Sequence, residues 1–167
     1  GSKKPDLKAE FSREKHLRPL AVTVGIDALL RASSASYSAH WTDGDARTPW
    51  LDRRPRGATR LAHRLLDALG AGAELVVIVS DGYENDPPGA LAQVLRAFRS
   101  RLDPARRVSV VHINPVFEAA ALGAPSFGPH CPMVSVRDVD DVPTALGFAR
   151  FASGSVADEA RRQLRNL

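Results

Sequence analysis

The chain of 167 residues has a single cysteine and no long apolar run, whereas disulfide-rich proteins require several cysteines and proteins that span a membrane by helices require such a run. Its one cysteine, Cys131, cannot build a disulfide framework within the chain, which excludes a secreted scaffold stabilised by cross-links. No apolar run approaches the ~18 residues that span a bilayer, and no signal peptide is recognisable. The sequence therefore predicts a cytoplasmic protein without a membrane segment.

Phosphate-binding signatures are also missing. There is no G-x-x-x-x-G-K-[ST] loop and no G-x-G-x-x-G turn after a strand, which disfavours the nucleotide-binding enzymes that use them. Aromatic residues make up only 6% of the chain and do not alternate with basic ones, and no RNA-binding motif is recognisable.

Lysine is missing from most of the chain. All four lysines precede His16, so the other 19 of the 23 basic residues (23 − 4) are arginines. This change in composition predicts a lead-in at 1–15, one domain at 16–153, and a polar C-terminal helix or tail at 154–167. The net charge of +4 permits contacts with polyanions but does not demonstrate them.

Hydrophobic patterning predicts strands that alternate with helices. Continuous apolar runs, typical of buried parallel strands, occur at 74–82 and 107–114. A final strand is predicted at 133–139, and a hairpin from strands at 36–41 and 47–51. Helices are predicted at 58–70, 89–102 and 142–151. This order predicts an α/β three-layer sandwich with a mainly parallel sheet between helices.

Residues 19–33 fit two structures. Alternating Val22, Val24 and Ile26 favour a strand, whereas Pro19 suits the first turn of a helix and Leu20, Val24, Ala28 and Leu29 share a helical face. A strand would leave too few residues for a crossover helix, so we favour a mostly buried helix from about 18 to 33.

Ligands of open α/β sheets collect at the carboxyl ends of the strands. The richest such end is the segment Ser80–Asp86, in which the Asp81 carboxylate could face a metal ion or its water shell. Thr59, in the turn before a predicted helix, could bind a cation through its hydroxyl or could cap that helix.

These segments, in this order, resemble the von Willebrand factor A (vWA) domain. The resemblance covers roughly residues 18–152. It rests on the predicted hairpin, on a helix after the second of four stretches, and on the stretches themselves: GATRLAHRLLDAL, ELVVIVSDGYEN, RVSVVHINP and PMVSVRDVDDVPTALGFARF. The family builds a metal-ion-dependent adhesion site from a D-x-S-x-S motif after the first strand, a Thr in a second loop and an Asp in a third. By this resemblance, Thr59 is the second element and Asp81 is the third.

The first element of that site does not match. Asp6 is the only aspartate ahead of the first helix, and in Asp6–Glu10 a lysine and a glutamate replace the two serines. No hydrophobic strand precedes it. The central first strand of the family is therefore missing from the pattern, unless another chain supplies it or residues 20–27 are a strand after all.

The resemblance implies a non-enzymatic protein-interaction module. In the family, a Mg²⁺ ion held by hydroxyl and carboxylate oxygens leaves one position for an acidic residue of the partner. With the first motif absent, we expect weak or no Mg²⁺ binding by this chain alone. An ATPase of the AAA type is a partner implied by resemblance only. The expected partner-binding residues are Arg53, Arg54, Arg56, Tyr83, Glu84 and Asn85.

Two other functions remain open. The arginines from Arg53 to Arg60 could bind RNA or another polyanion through phosphate contacts. An enzyme that uses the acidic 81–86 loop with a metal ranks last, because no general base or nucleophile accompanies it. The pair His130-Cys131 is a weak metal-binding signal without a second pair at ligand spacing.

Overall fold

The computed structural model describes the backbone of residues 7–42, 59–84, 86–116 and 126–150, with side chains from residue 18 to residue 148 within those ranges. The helices are α1 (Leu7–Ser33), α2 (Leu61–Gly70), α3 (Ala90–Arg101) and α4 (Val142–Arg150). The strands are β1 (Leu75–Val79), β2 (Ser109–Asn114) and β3 (Met133–Ser135), and a 3₁₀ turn at Val139–Asp141 precedes α4.

The three strands form one parallel sheet in the order β1-β2-β3. Val77 lies opposite Val111, and Ile113 lies opposite Val134. Because all strands run the same way, their carboxyl ends meet at one edge of the sheet. The described part of the chain thus has an α/β arrangement with a small parallel sheet, as the sequence predicts.

Alternate residues of the strands contribute to two separate hydrophobic clusters. Val76, Ile78 and Val110 pack with Leu65 of α2 and Leu95 of α3. The residues between them face the other cluster, where Val111 and Ile113 pack with side chains of α1 and α4, among them Val22, Ile26, Val142 and Ala145. The two-residue period of a strand therefore divides the apolar residues between the two clusters.

Helix α1 resolves the ambiguity at 19–33 in favour of a helix. It is longer than predicted, because its backbone continues upstream to Leu7 and places Pro19 inside the helix rather than in its first turn. The predicted apolar face is confirmed only in part, because Leu29 packs against the cluster that α1 shares with α4 but Ala28 is exposed. The buried residues of the helix are Val22 and Ile26. Gly25 permits close packing, since a Cβ atom there would collide with the Val139 side chain.

Two predicted strands differ from the structure. Residues 36–41 form no strand, although their polar-apolar alternation predicts one. The strand predicted at 133–139 ends at Ser135, because Asp138 caps the 3₁₀ turn through a hydrogen bond from Val139 N to its carboxylate. The predicted strand 47–51 and the tail 154–167 lie outside the described residues.

No helix within the described ranges has the length and apolarity needed to cross a membrane.

Candidate functional site

The carboxyl edge of the sheet brings together the ends of β1 and β2. Asp81 and Tyr83 follow β1, and Asn114 ends β2. The Asn114 side-chain amide donates to the carbonyl oxygen of Asp81 at 3.4 Å, and its Oδ1 accepts from Val116 N at 2.8 Å. Asn114 is buried, and its amide connects the ends of β1 and β2 beneath the loop.

His112 fixes the start of this loop from within the core. It is fully buried on β2, and its Nε2 lies 2.9 Å from the carbonyl oxygen of Ser80 and 3.0 Å from the Ser80 hydroxyl. Its ring also packs against Phe127, with 4.7 Å between the ring centroids. Burial lowers the pKa of His112, against the opposing effects of the Ser80 carbonyl and of Asp81. A neutral ring that donates from Nε2 agrees with this environment.

Two short turns shape the loop that follows Val79. Gly82 N donates to the Ser80 hydroxyl at 3.1 Å, and Tyr83 N donates to Asp81 Oδ1 at 3.0 Å. Such side-chain acceptors for nearby backbone groups are typical of Ser and Asp in turns. Gly82 has a φ of 90°, a conformation that glycine adopts without strain.

Glu84 holds the far end of the loop by contacting two helices. Its Oε1 accepts from Ala62 N at 3.1 Å, and its Oε2 accepts from Leu91 N at 2.8 Å. These amides lie in the first turns of α2 and α3, whose own N-cap residues, Arg60 and Gly89, provide no side-chain cap. One carboxylate thus satisfies an unpaired donor at each helix N-terminus, where negative charge is favoured.

The role of Glu84 was missed by sequence reasoning, which placed it on the partner-binding surface. One signal was available: neither helix begins with Ser, Thr, Asp or Asn, so an acceptor from elsewhere was needed. The acceptor cannot be identified from the neighbouring sequence, because Glu84 lies 22 residues after Ala62.

Asp86 and Arg60 add an ion pair beside this cap. Arg60 Nε lies 2.7 Å from Asp86 Oδ2; the Arg60 side chain is 64% exposed and the Asp86 side chain 42%. Exposed pairs of this kind contribute at most about 1 kcal/mol. The pair nevertheless means that Arg60, the last member of the predicted basic cluster, faces an acid of the same chain.

Thr59 is partly buried and precedes α2. Capping of this helix was one of its two predicted roles, and Thr59 does not occupy the N-cap position. The N-cap position belongs to Arg60, and α2 begins at Leu61 rather than at residue 58. Among the described residues, no hydrogen bond joins Thr59 to Asp81.

The loop exposes two of the predicted site residues. Tyr83 is 61% exposed, a large fraction for an aromatic side chain, and Asp81 beside it is also exposed. The other predicted partner-binding residues, Arg53, Arg54, Arg56 and Asn85, lie outside the described residues.

The described residues fit a metal centre poorly. Nowhere in the described ranges do three or more His, Cys, Asp or Glu side chains form a group that could hold a metal ion. Mg²⁺ favours six oxygen ligands, whereas the resemblance leaves only Thr59 and Asp81 to supply them. Leu7–Glu10, the described part of the degenerate first motif, belongs to helix α1 rather than to a loop after a strand.

Cys131 belongs to the core rather than to a reactive site. It is fully buried in the cluster that contains Leu65 and Leu95, and burial raises the pKa of its thiol to about 12. A thiol in this environment stays protonated and is a poor metal ligand.

Comparisons with known proteins leave the family open: no family model, no curated protein and no solved structure matches this chain.

Proposed function

We propose that the chain is a non-enzymatic binding module, similar to a vWA domain, that recognises a protein partner at the carboxyl edge of its sheet. The observation that carries this proposal is the loop from Ser80 to Glu84, which is anchored at both ends while Tyr83 projects into solvent. A rigid loop loses little conformational entropy on binding, and an exposed tyrosine is a frequent anchor of protein interfaces.

The finer architecture belongs to the same proposal. A three-layer sandwich agrees with the two hydrophobic clusters, since strand residues alternate between a cluster with α2 and α3 and a cluster with α1 and α4. The family resemblance also agrees with the position of Asp81, two residues after the end of the parallel strand β1.

We expect recognition to depend on Tyr83. The experiment selects peptide ligands from a display library on the wild-type chain and measures the affinity of each selected peptide by calorimetry. Tyr83→Ala should weaken binding about 30-fold, the effect of losing a central aromatic anchor worth about 2 kcal/mol.

Leu102→Ala is the matched control for Tyr83→Ala. Leu102 is 78% exposed but lies beyond the C-terminus of α3, toward the start of β2 and away from the carboxyl edge. Peptides that bind wild type and Tyr83→Ala equally well, or a library that yields no ligand, would contradict the proposal.

Metal dependence is proposed to be weak or absent in this chain. Titration with MgCl₂ or MnCl₂ in a calorimeter should give no affinity tighter than about 100 µM. A tighter affinity that Asp81→Ala abolishes would show that the chain retains a functional cation site.

A further inference from the structure

Strand β1 has one edge that no described strand occupies, and this open edge bears on how the protein assembles. β2 occupies one edge of β1, and among the described residues no strand pairs with the other. Yet β1 reads LVVIV, with no charge, proline or glycine, which is typical of a strand inside a parallel sheet. Edge strands of soluble proteins are normally protected by charged residues, prolines or bulges, because an open edge pairs with other strands.

The hydrogen bonds identify which backbone groups face this open edge. Ser109 N donates to Glu74 O, and Ser80 N donates to Ile113 O. In a parallel pair, alternate residues direct both N–H and C=O to the same neighbour, so the even-numbered residues of β1 bond to β2. Leu75, Val77 and Val79 therefore direct three N–H and three C=O groups to the open edge.

The side chains of the same three residues are also incompletely covered. Leu75, Val77 and Val79 pack against the cluster that contains Val22 and Ile26, but they are only partly buried. The open edge thus combines backbone groups that no described strand pairs with and apolar surface that packing has not removed from water.

We propose that β1 pairs with β1 of a second copy of this chain, antiparallel about a twofold axis at Val77. This register places Val77 opposite Val77 and Leu75 opposite Val79. The backbone N–H and C=O groups of all three residues point to the open edge, so each opposed pair exchanges two hydrogen bonds. Three such pairs use all of the N–H and C=O groups that the two copies direct to this edge.

Self-pairing is also compatible with the charges at the ends of the strand. In this register Glu74 lies opposite Ser80 and Ala73 opposite Asp81, so no like charges are opposed. The opposed side chains lie on one face, where each copy covers the apolar surface left open on the other. The twofold pairing is closed, which accounts for a dimer rather than a fibre.

The test is the oligomeric state of the chain in solution. Sedimentation should give a mass near twice 18.0 kDa at about 100 µM and a falling mass on dilution. Val77→Pro should remain monomeric at the same concentration, because it removes a donor of the open edge and no hydrogen bond of the β1-β2 ladder. Val77→Ala, which retains the N–H group, is the matched control and should still dimerise.

Hydrogen exchange tests the register even where Val77→Pro does not fold. The amides of Leu75, Val77 and Val79 should exchange at least about tenfold more slowly in concentrated than in dilute protein. The amides of Val76 and Ile78 serve as an internal reference, because they bond to β2 at every concentration. A wild-type monomer at 100 µM would overturn the proposal, and so would protection that does not change with concentration, since that would assign the edge to another strand of the same chain.

Discussion

At the scale of single residues, His112 makes the stability of the protein depend on pH. The buried ring has a lowered pKa, while in the unfolded chain it titrates near the ordinary value of about 6.5. As pH falls below that value, the unfolded state takes up a proton that the native ring resists. The contribution of His112 is therefore complete above pH ~6.5 and is lost progressively as pH falls toward the lowered native pKa.

We therefore expect the free energy of unfolding of the wild type to be steady above pH ~6.5 and to fall below it, by up to about 1.4 kcal/mol per pH unit from this group. His112→Phe should be less stable at pH 7.5, because Ser80 loses its partner, but should lack this component of the pH dependence. Urea denaturation at several pH values measures both effects.

His63→Gln provides the control for the histidine substitution. His63 is exposed on α2, so this variant should keep the pH dependence of the wild type. An unchanged pH dependence in His112→Phe would show that other groups cause it.

At the scale of elements, the N-termini of α2 and α3 depend on one carboxylate. Glu84→Ala should lower the free energy of unfolding by about 1–3 kcal/mol, since two helices each lose a cap worth about 1 kcal/mol. Glu84→Gln should lose less, because its amide oxygen can still accept from one of the two N–H groups. Urea denaturation at neutral pH measures the difference.

Glu74 supplies the control for the capping prediction. It is exposed, and replacing it with alanine should change stability by no more than about 0.5 kcal/mol. If Glu84→Ala were equally mild, the two hydrogen bonds to Ala62 and Leu91 would contribute nothing to the fold.

The turn between α3 and β2 contains a second carboxylate in a similar role, and this one is buried. Asp103 accepts from the guanidinium of Arg99 and from the backbone N–H groups of Arg107 and Val108, at 2.7 and 3.1 Å for the latter two. Both members of the ion pair are buried, and burial lowers the pKa of Arg99. Because Asp103 satisfies two backbone donors as well as the cation, it determines where α3 ends and β2 begins.

Elements with strong local patterns could be predicted from the sequence. β1 and β2 were found within a few residues of their ends, because continuous β-branched runs have few other stable structures in an α/β chain. The prediction failed at 36–41, where alternation alone suggested a strand. A strand also needs a partner for its backbone, and no local pattern shows whether one is present.

At the scale of the whole molecule, recognition and assembly use different parts of the sheet. The proposed partner site lies at the carboxyl edge, around Tyr83, whereas the proposed dimer contact runs along the side of β1. Val77→Pro and Tyr83→Ala should therefore act separately: the first should change the mass of the particle, and the second its affinity for peptide.

The sequence by itself determined the parallel strands, the helices between them and the placement of Asp81 at a strand end, because these follow from periodicity and from turn residues within a short window. Only the tertiary structure decided that Glu84 caps two helices, that His112 holds Ser80, and that Leu75, Val77 and Val79 direct their backbone groups away from β2. Those features join residues far apart in the chain, and their partners depend on how the elements pack, which no local pattern encodes.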